Sequence, residues 1–201
     1  MTFDFNKEIY ISIDIESDGP IPGENSMLSL GAAAFCLENV NKIFYNDIFV
    51  EGKLISTYST NLELLPNATP NPDTMKFWSD NKFAYDETRR NLLSPDIAMF
   101  NFDQWLQSFK PRQCVAVCYP AGYDFTWVYW YLMKFVGKSQ FSHSALDIKT
   151  LVMGALKTNY RNSVKKNFPK RWFGKSKHSH IALDDAIEQG EIFCKIMNEI
   201  L

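Results

Sequence analysis

The chain has 201 residues, 46% hydrophobic, 15% aromatic and 22% charged. That composition fills one sizeable core and excludes a disordered chain, so a single domain over residues 1–201 is expected. The formal charge of −2 conceals an asymmetry: residues 157–177 hold eight Lys or Arg and no Asp or Glu, which makes that segment +8 and the remainder −10.

Met1 to Glu8 lacks the basic-then-apolar build of a signal peptide. The most apolar window, Phe125 to Val136, is too short to span a bilayer and carries Lys134. Cys36, Cys114, Cys118 and Cys194 form no C-x-x-C pair and have no histidines at zinc-finger spacing. A cytoplasmic protein without a membrane partner is therefore expected.

In chain order, the first predicted element is a strand, Ile9 to Ser17, in which Ile9, Ile11, Ile13 and Ile15 alternate with Tyr10, Ser12, Asp14 and Glu16. Alternation puts Asp14 and Glu16 on one face, roughly 7 Å apart. Two carboxylates so placed repel each other unless a proton or cation lies between them; a solvent-facing acidic edge is the plainer alternative. Ser17 to Gly23, with two Gly and two Pro, reads as a loop. Met27 to Cys36 and Lys42 to Val50 read as strands, giving an antiparallel meander with the first. Residues 51–72 read as loop. A short helix capped by Asp73 or Thr74 then carries Met75, Phe77 and Trp78.

Ser94-Pro95-Asp96 opens a helix whose expected inner stripe is Ile97, Phe100, Phe102, Trp105, Leu106 and Phe109. Cys114 to Cys118 reads as a buried strand, followed by a helix from about Asp124 to Val136. Ala145 to Ile148 is a last short strand leading into a helix through Leu156. The basic segment follows, interleaved with Tyr160, Phe168, Trp172 and Phe173. That is a composition suited to single-stranded nucleic acid, with a solvated loop as the alternative. The closing helix starts near Ala182, with Leu183, Ala186 or Ile187, Gly190, Cys194, Met197 and Leu201 as its expected inner stripe. Strands first, then alternating helices and strands, predict an α/β domain with a mixed sheet.

Two aspartates and a histidine beyond the first strand carry the rest of the reading. Asp124 follows the middle strand, where a helix N-cap is its structural role. Asp185 opens the closing helix, where a first-turn acid complements the helix dipole. His180 precedes it by five residues, about 140° away on a continuous helix, so the histidine belongs to the entering loop. Asp147 reads as a turn or capping group, with a contribution to the site as the alternative; Asp184 reads as exposed or capping, His143 as exposed, and His178, seven residues before Asp185, as a less well spaced stand-in for His180.

In this order, Asp14-x-Glu16, Asp124 and His180-x-x-x-x-Asp185 resemble the motifs of the DEDDh 3′–5′ exonucleases, the histidine-containing branch of a superfamily that includes oligoribonuclease, ribonuclease T and proofreading subunits. The tyrosine branch has Tyr four residues before the last Asp, where this chain has Ile181. Many members also carry Asn four residues before the second-motif Asp, where this chain has Pro120, as in small bacterial exoribonucleases.

The resemblance implies a ribonuclease H-like three-layer domain with a central mixed five-stranded sheet flanked by helices. It implies Asp14, Glu16, Asp124 and Asp185 as metal ligands for two Mg²⁺ or Mn²⁺ ions, one carrying the attacking water and the other stabilising the leaving 3′-oxygen. His180 is implied as general base. Ser17, Gly19, Met27 and Leu28 are implied to grip the terminal nucleotide, with core packing the alternative for Met27. The expected activity is release of nucleoside 5′-monophosphates from single-stranded 3′ ends, RNA favoured. A DNA-specific exonuclease and a non-catalytic binding module are the alternatives, and a homodimer is an implied assembly.

Overall fold

A computed structural model describes residues 4–41, 48–174 and 179–201. The sheet is built on β1 (Glu8–Ser17), which pairs antiparallel with β2 (Met27–Asn41); β2 pairs antiparallel with β3 (Ile48–Leu62). Two helices, α1 (Pro72–Asp80) and α2 (Lys82–Thr88), precede a two-residue strand, β4 (Leu92–Leu93), that lies parallel to β3. Then come α3 (Pro95–Gln107), β5 (Gln113–Cys118) parallel to β1, and α4 (Ala121–Phe135). β6 (Ala145–Asp147) lies parallel to β5, and α5 (Ile148–Ala155) and α6 (Ala182–Ile200) complete the described elements. The strand order is β4-β3-β2-β1-β5-β6, a mixed sheet of six strands rather than the expected five.

Alternation in β1 separates two cores. Ile9, Ile11, Ile13 and Ile15 pack under α3 and α4 with Met99, Phe102, Trp127 and Leu132, each isoleucine contributing about 2 kcal/mol by burial. Tyr10 faces the other way and packs with Phe35, Val117, Trp172 and Phe193 beneath α5 and α6. Asp14 and Glu16 share that second face, so the carboxylates point toward α6.

Several sequence-based expectations are corrected. Lys42 to Asp47 of the expected third strand lie outside the described residues; from Ile48 the strand runs on to Leu62, through most of the stretch read as loop. Its residues 51–59 are largely exposed, so no buried alternation marks them. Asn71, not Asp73 or Thr74, caps α1, its side chain accepting both of those backbone N–H groups. In α3 the expected Phe102 and Leu106 are buried together with Pro95, Ala98, Met99 and Asp103, whereas Ile97 and Phe100 are exposed. In α6 the expected Ala186, Gly190 and Cys194 are buried together with Ala182, Asp185, Glu188, Gln189, Ile192, Phe193 and Ile196, whereas Leu201 is exposed. The stripe on α6 includes polar residues, which a reading based on hydrophobic periodicity passes over.

The described part of the basic segment folds as short 3₁₀ turns, Tyr160–Asn162, Lys165–Asn167 and Lys170–Trp172, while Lys175 and Lys177 lie outside the described residues. Trp172 is fully buried and donates from Nε1 to Glu199 (2.7 Å), while Arg171 grips the same carboxylate with two nitrogens at 2.6 and 2.8 Å. Lys165 pairs with Glu188. Two of the cations are therefore committed to α6. Among the described residues, no helix is long and apolar enough to cross a membrane.

Candidate active site

The carboxyl ends of β1 and β5 and the starts of α4 and α6 meet in one place. Asp14 and Glu16 come from β1, and a register shift between Glu16 and Ser17 turns the chain away just after them. Asp124 begins three residues inside α4, whose N-cap is Pro120, so it does not cap the helix. Its Oδ1 instead accepts the Ile15 backbone N–H at 3.2 Å, which ties α4 to β1 between the two acidic residues.

Asp185 is fully buried, and both its oxygens are held by backbone: Ser179 N–H donates to Oδ1 at 2.9 Å and His180 N–H to Oδ2 at 3.0 Å. His180 adopts φ +57°, a left-handed conformation uncommon for a residue with a side chain. That turn folds the histidine back, so that ligand atoms of Glu16, His180 and Asp185 lie within 4.8 Å of one another.

The electrostatics follow from this crowding. Burial, then the charges of Asp124, Glu16 and Asp185, hold the Asp14 carboxyl well above the usual carboxylate range, with a hydrogen bond from Gln189 opposing the shift. Burial, then Asp185 and Asp124, push Glu16 up to about 9. Burial raises Asp124 to about 7, tempered by the Ile15 N–H. The groups therefore form one interacting cluster in which full ionisation is unfavourable without compensating positive charge.

Around the cluster, Ser17 Oγ donates to the Gly19 carbonyl (2.7 Å) and lies 2.8 Å from Tyr123 Oη, while Trp78 Nε1 donates to the Ser17 carbonyl (2.8 Å). A Cβ at Gly19 would fall 2.3 Å from the Asn25 side chain, so a larger residue would displace Asn25 from its hydrogen bonds to Ile21 and Thr69. Phe77, 40% exposed, sets its ring edge-on to His180 at 5.2 Å between centroids.

The side chains of Met27 and Leu28 are fully buried: Met27 lies in the core under α4, and Leu28 sits with Trp78 and Ala84. The alternative of core packing for Met27 is the arrangement observed, and neither side chain presents a wedge to the cleft.

The secondary candidates lie apart from the cluster or brace it. Asp147 caps α5 through Thr150 and accepts the Ala121 N–H at 3.1 Å. Asp184 is exposed, His143 contacts Tyr129, and His178 lies outside the described residues. Sequence reasoning missed Tyr123, Phe77 and Gln189 as neighbours of the cluster. Only Gln189 had a signal available, since it lies one helical turn beyond Asp185.

No protein-family model matches the chain. In sequence it is similar to the 3′–5′ DNA exonuclease Cap18 of Escherichia coli, 28% identical over 192 residues that cover 94% of this chain and 91% of that protein. In fold it is similar to the nuclease domain of 3′hExo, a DEDDh family member bound to rAMP, with a TM-score of 0.64, 11% identity, and coverage of 95% of this chain and 92% of that one. It is also similar to Pop2p of S. pombe in its Mg²⁺- and Mn²⁺-bound form, with a TM-score of 0.58, 12% identity, and coverage of 95% and 83%. The chain thus shares the ribonuclease H-like fold of these exonucleases and, over nearly its whole length, is similar in sequence to a 3′–5′ DNA exonuclease.

Proposed function

We propose that the protein removes nucleotides one at a time from single-stranded 3′ ends, releasing nucleoside 5′-monophosphates in a metal-dependent hydrolysis. The observation that carries this reading is the convergence of Asp14, Glu16 and Asp124 with Asp185 and His180, with burial raising the first three carboxyls and neighbouring carboxylate charge adding to the shift at Asp14 and Glu16. Similarity to a protein named as a DNA exonuclease supports DNA as the first substrate class, ahead of the RNA favoured from the motifs.

The residues fit a hard divalent cation. The donor set is carboxylate oxygen with one imidazole, the crowded negative charge needs neutralising, and no cysteine sulfur joins the described cluster. Asp14, Glu16, Asp124 and Asp185 would hold two Mg²⁺ or Mn²⁺ ions, which supply charge neutralisation and polarise the phosphoryl oxygens.

The chain's own residues do the rest. His180, half-buried at the mouth of the cluster, takes the proton from the attacking water. Asp185 keeps it there through the backbone, and Phe77 limits the swing of its ring. The Ser17–Gly19 turn, braced by Tyr123 and Trp78, receives the terminal nucleotide. Met27 and Leu28 support that turn from beneath.

The test is product analysis on one oligonucleotide sequence made as DNA and as RNA, with Mg²⁺, Mn²⁺ or EDTA. The reading expects 5′-monophosphates in the metal reactions, faster from DNA. Binding without shortening under every condition points to the non-catalytic alternative, and faster release from RNA reverses the substrate assignment.

A further inference from the structure

α6 sets a second polar side chain against β1, one turn beyond Asp185. Four residues on a helix advance about 6 Å and rotate about 40°, so Asp185 and Gln189 lie on one face. Two residues on a strand advance about 6.7 Å, the separation of Glu16 and Asp14. With α6 running opposite to β1, the two spacings match: Asp185 comes down near Glu16, and Gln189 comes down on Asp14.

Gln189 Nε2 donates to Asp14 Oδ1 at 2.6 Å, and the side chain is only 2% exposed. Its other polar atom, Oε1, is buried and accepts no hydrogen bond among the described residues. A glutamine present only to fill space would be a poor choice, because a methionine or leucine fills the same volume without an orphaned carbonyl. The amide is therefore accounted for by its one bond, to Asp14.

The residue type also suits that place. A lysine or arginine would donate but would repel a cation. A glutamate would add another negative charge to a crowded cluster and, ionised, could not donate. A neutral donor orients the carboxylate and leaves its charge available.

We propose that Gln189 is a positioning residue that fixes the Asp14 carboxylate and thereby sets the affinity of the site for divalent cations. The inference rests on the metal-dependent reading above. Groups that support metal ligands in this way commonly change affinity 10–100-fold when removed.

The experiment is calorimetric titration with Mn²⁺ of the wild type, Gln189→Met, Asp14→Ala and the double variant, each checked for folding by circular dichroism without metal. Gln189→Met is expected to weaken Mn²⁺ binding about tenfold or more, with metal-free melting little changed and turnover recovering at saturating Mn²⁺. In the Asp14→Ala background the same substitution is expected to have almost no further effect, because the group it acts through is gone. If the methionine variant does not fold, Gln189→Ser, too short to reach Asp14, takes its place with the same expected loss. Wild-type affinity in Gln189→Met overturns the proposal, as does an equal loss in the Asp14→Ala background. A wild-type protein that binds no Mn²⁺ overturns the metal-dependent reading itself, which separates the two failures.

Discussion

At the scale of single residues, the position of His180 is set by the aspartate that follows it. Both oxygens of Asp185 hold backbone N–H groups of the entering turn, and the left-handed conformation of His180 completes the reversal. This is how a histidine five residues ahead of an aspartate reaches the same cluster. His180→Ala is expected to reduce turnover by roughly 10²- to 10⁴-fold, the usual contribution of a positioned base. Mn²⁺ binding should be largely kept, because the four carboxylates remain. Turnover close to wild type would remove His180 from the proton-transfer role.

The carboxylates also make stability depend on pH with a definite sign. Asp14, Glu16 and Asp124 are all raised in the folded protein, so the folded state holds these protons more tightly than the unfolded chain does. Their stabilising contribution is complete below the ordinary carboxylate range, near 4. It is lost as pH rises through about 7 for Asp124 and about 9 for Glu16. The metal-free protein should therefore melt at progressively lower temperature between about pH 5 and pH 9. Saturating Mg²⁺ should flatten that decline, because cations replace the protons. Differential scanning calorimetry in EDTA and in Mg²⁺ checks both statements, and identical curves in the two buffers would contradict the account.

At the scale of elements, the site depends on how closely α6 approaches the sheet. Gly31 on β2 lies opposite Asp14, and a Cβ there would fall 2.2 Å from backbone atoms of Ala182 and Leu183. Backbone cannot yield as a flexible side chain can, so Gly31→Ala should lift the start of α6 off β2. Loss of stability by about 1–3 kcal/mol, the usual range for overpacking, should come together with weaker Mn²⁺ binding. Urea unfolding and metal titration of the variant check this, and unchanged metal affinity would show that Asp185 does not depend on that close approach.

What the sequence disclosed depended on how strongly each element was patterned. β1 was legible because alternating isoleucines stated both its strand character and the face shared by Asp14 and Glu16. Asp124, His180 and Asp185 stood out only as an ordered set resembling a known motif, since each alone also fits a capping or loop role. Much of β3 was not, since a strand with exposed Glu51, Lys53, Thr57 and Ser59 buries no alternating stripe to read. The two-residue β4 is too short to leave a pattern. Gln189 escaped because its meaning lies in a partner 175 positions away in sequence, brought near only when α6 crosses β1.

At the scale of the whole molecule, the uneven charge acquires a geometry. Arg171 and Lys165 are bound to carboxylates of α6, and the run of cations is to that extent a structural clamp on the closing helix. Arg161, Lys166 and Lys170 are exposed, and Lys149 lies over the Tyr160 ring at 4.5 Å. This surface joins the cluster through Tyr119, whose hydroxyl donates to the Ser163 carbonyl just ahead of the Pro120–Asp124 turn. Neutralising Lys166 and Lys170 together should weaken binding of single strands. It should also flatten the dependence of log affinity on log salt by roughly 0.7 for each phosphate that the protein no longer neutralises. Fluorescence anisotropy across a salt series checks this, and an unaltered slope would leave the two lysines as solvated charge.

The central claim is that this acidic cluster hydrolyses nucleic acid from its 3′ end. It is tested most directly by following a 5′-labelled single-stranded oligonucleotide over time with Mg²⁺, using the wild-type protein beside Asp14→Asn. The account predicts a ladder descending by single nucleotides, abolished by EDTA and by the substitution. No shortening by the wild type, or a ladder that persists in Asp14→Asn, would contradict it.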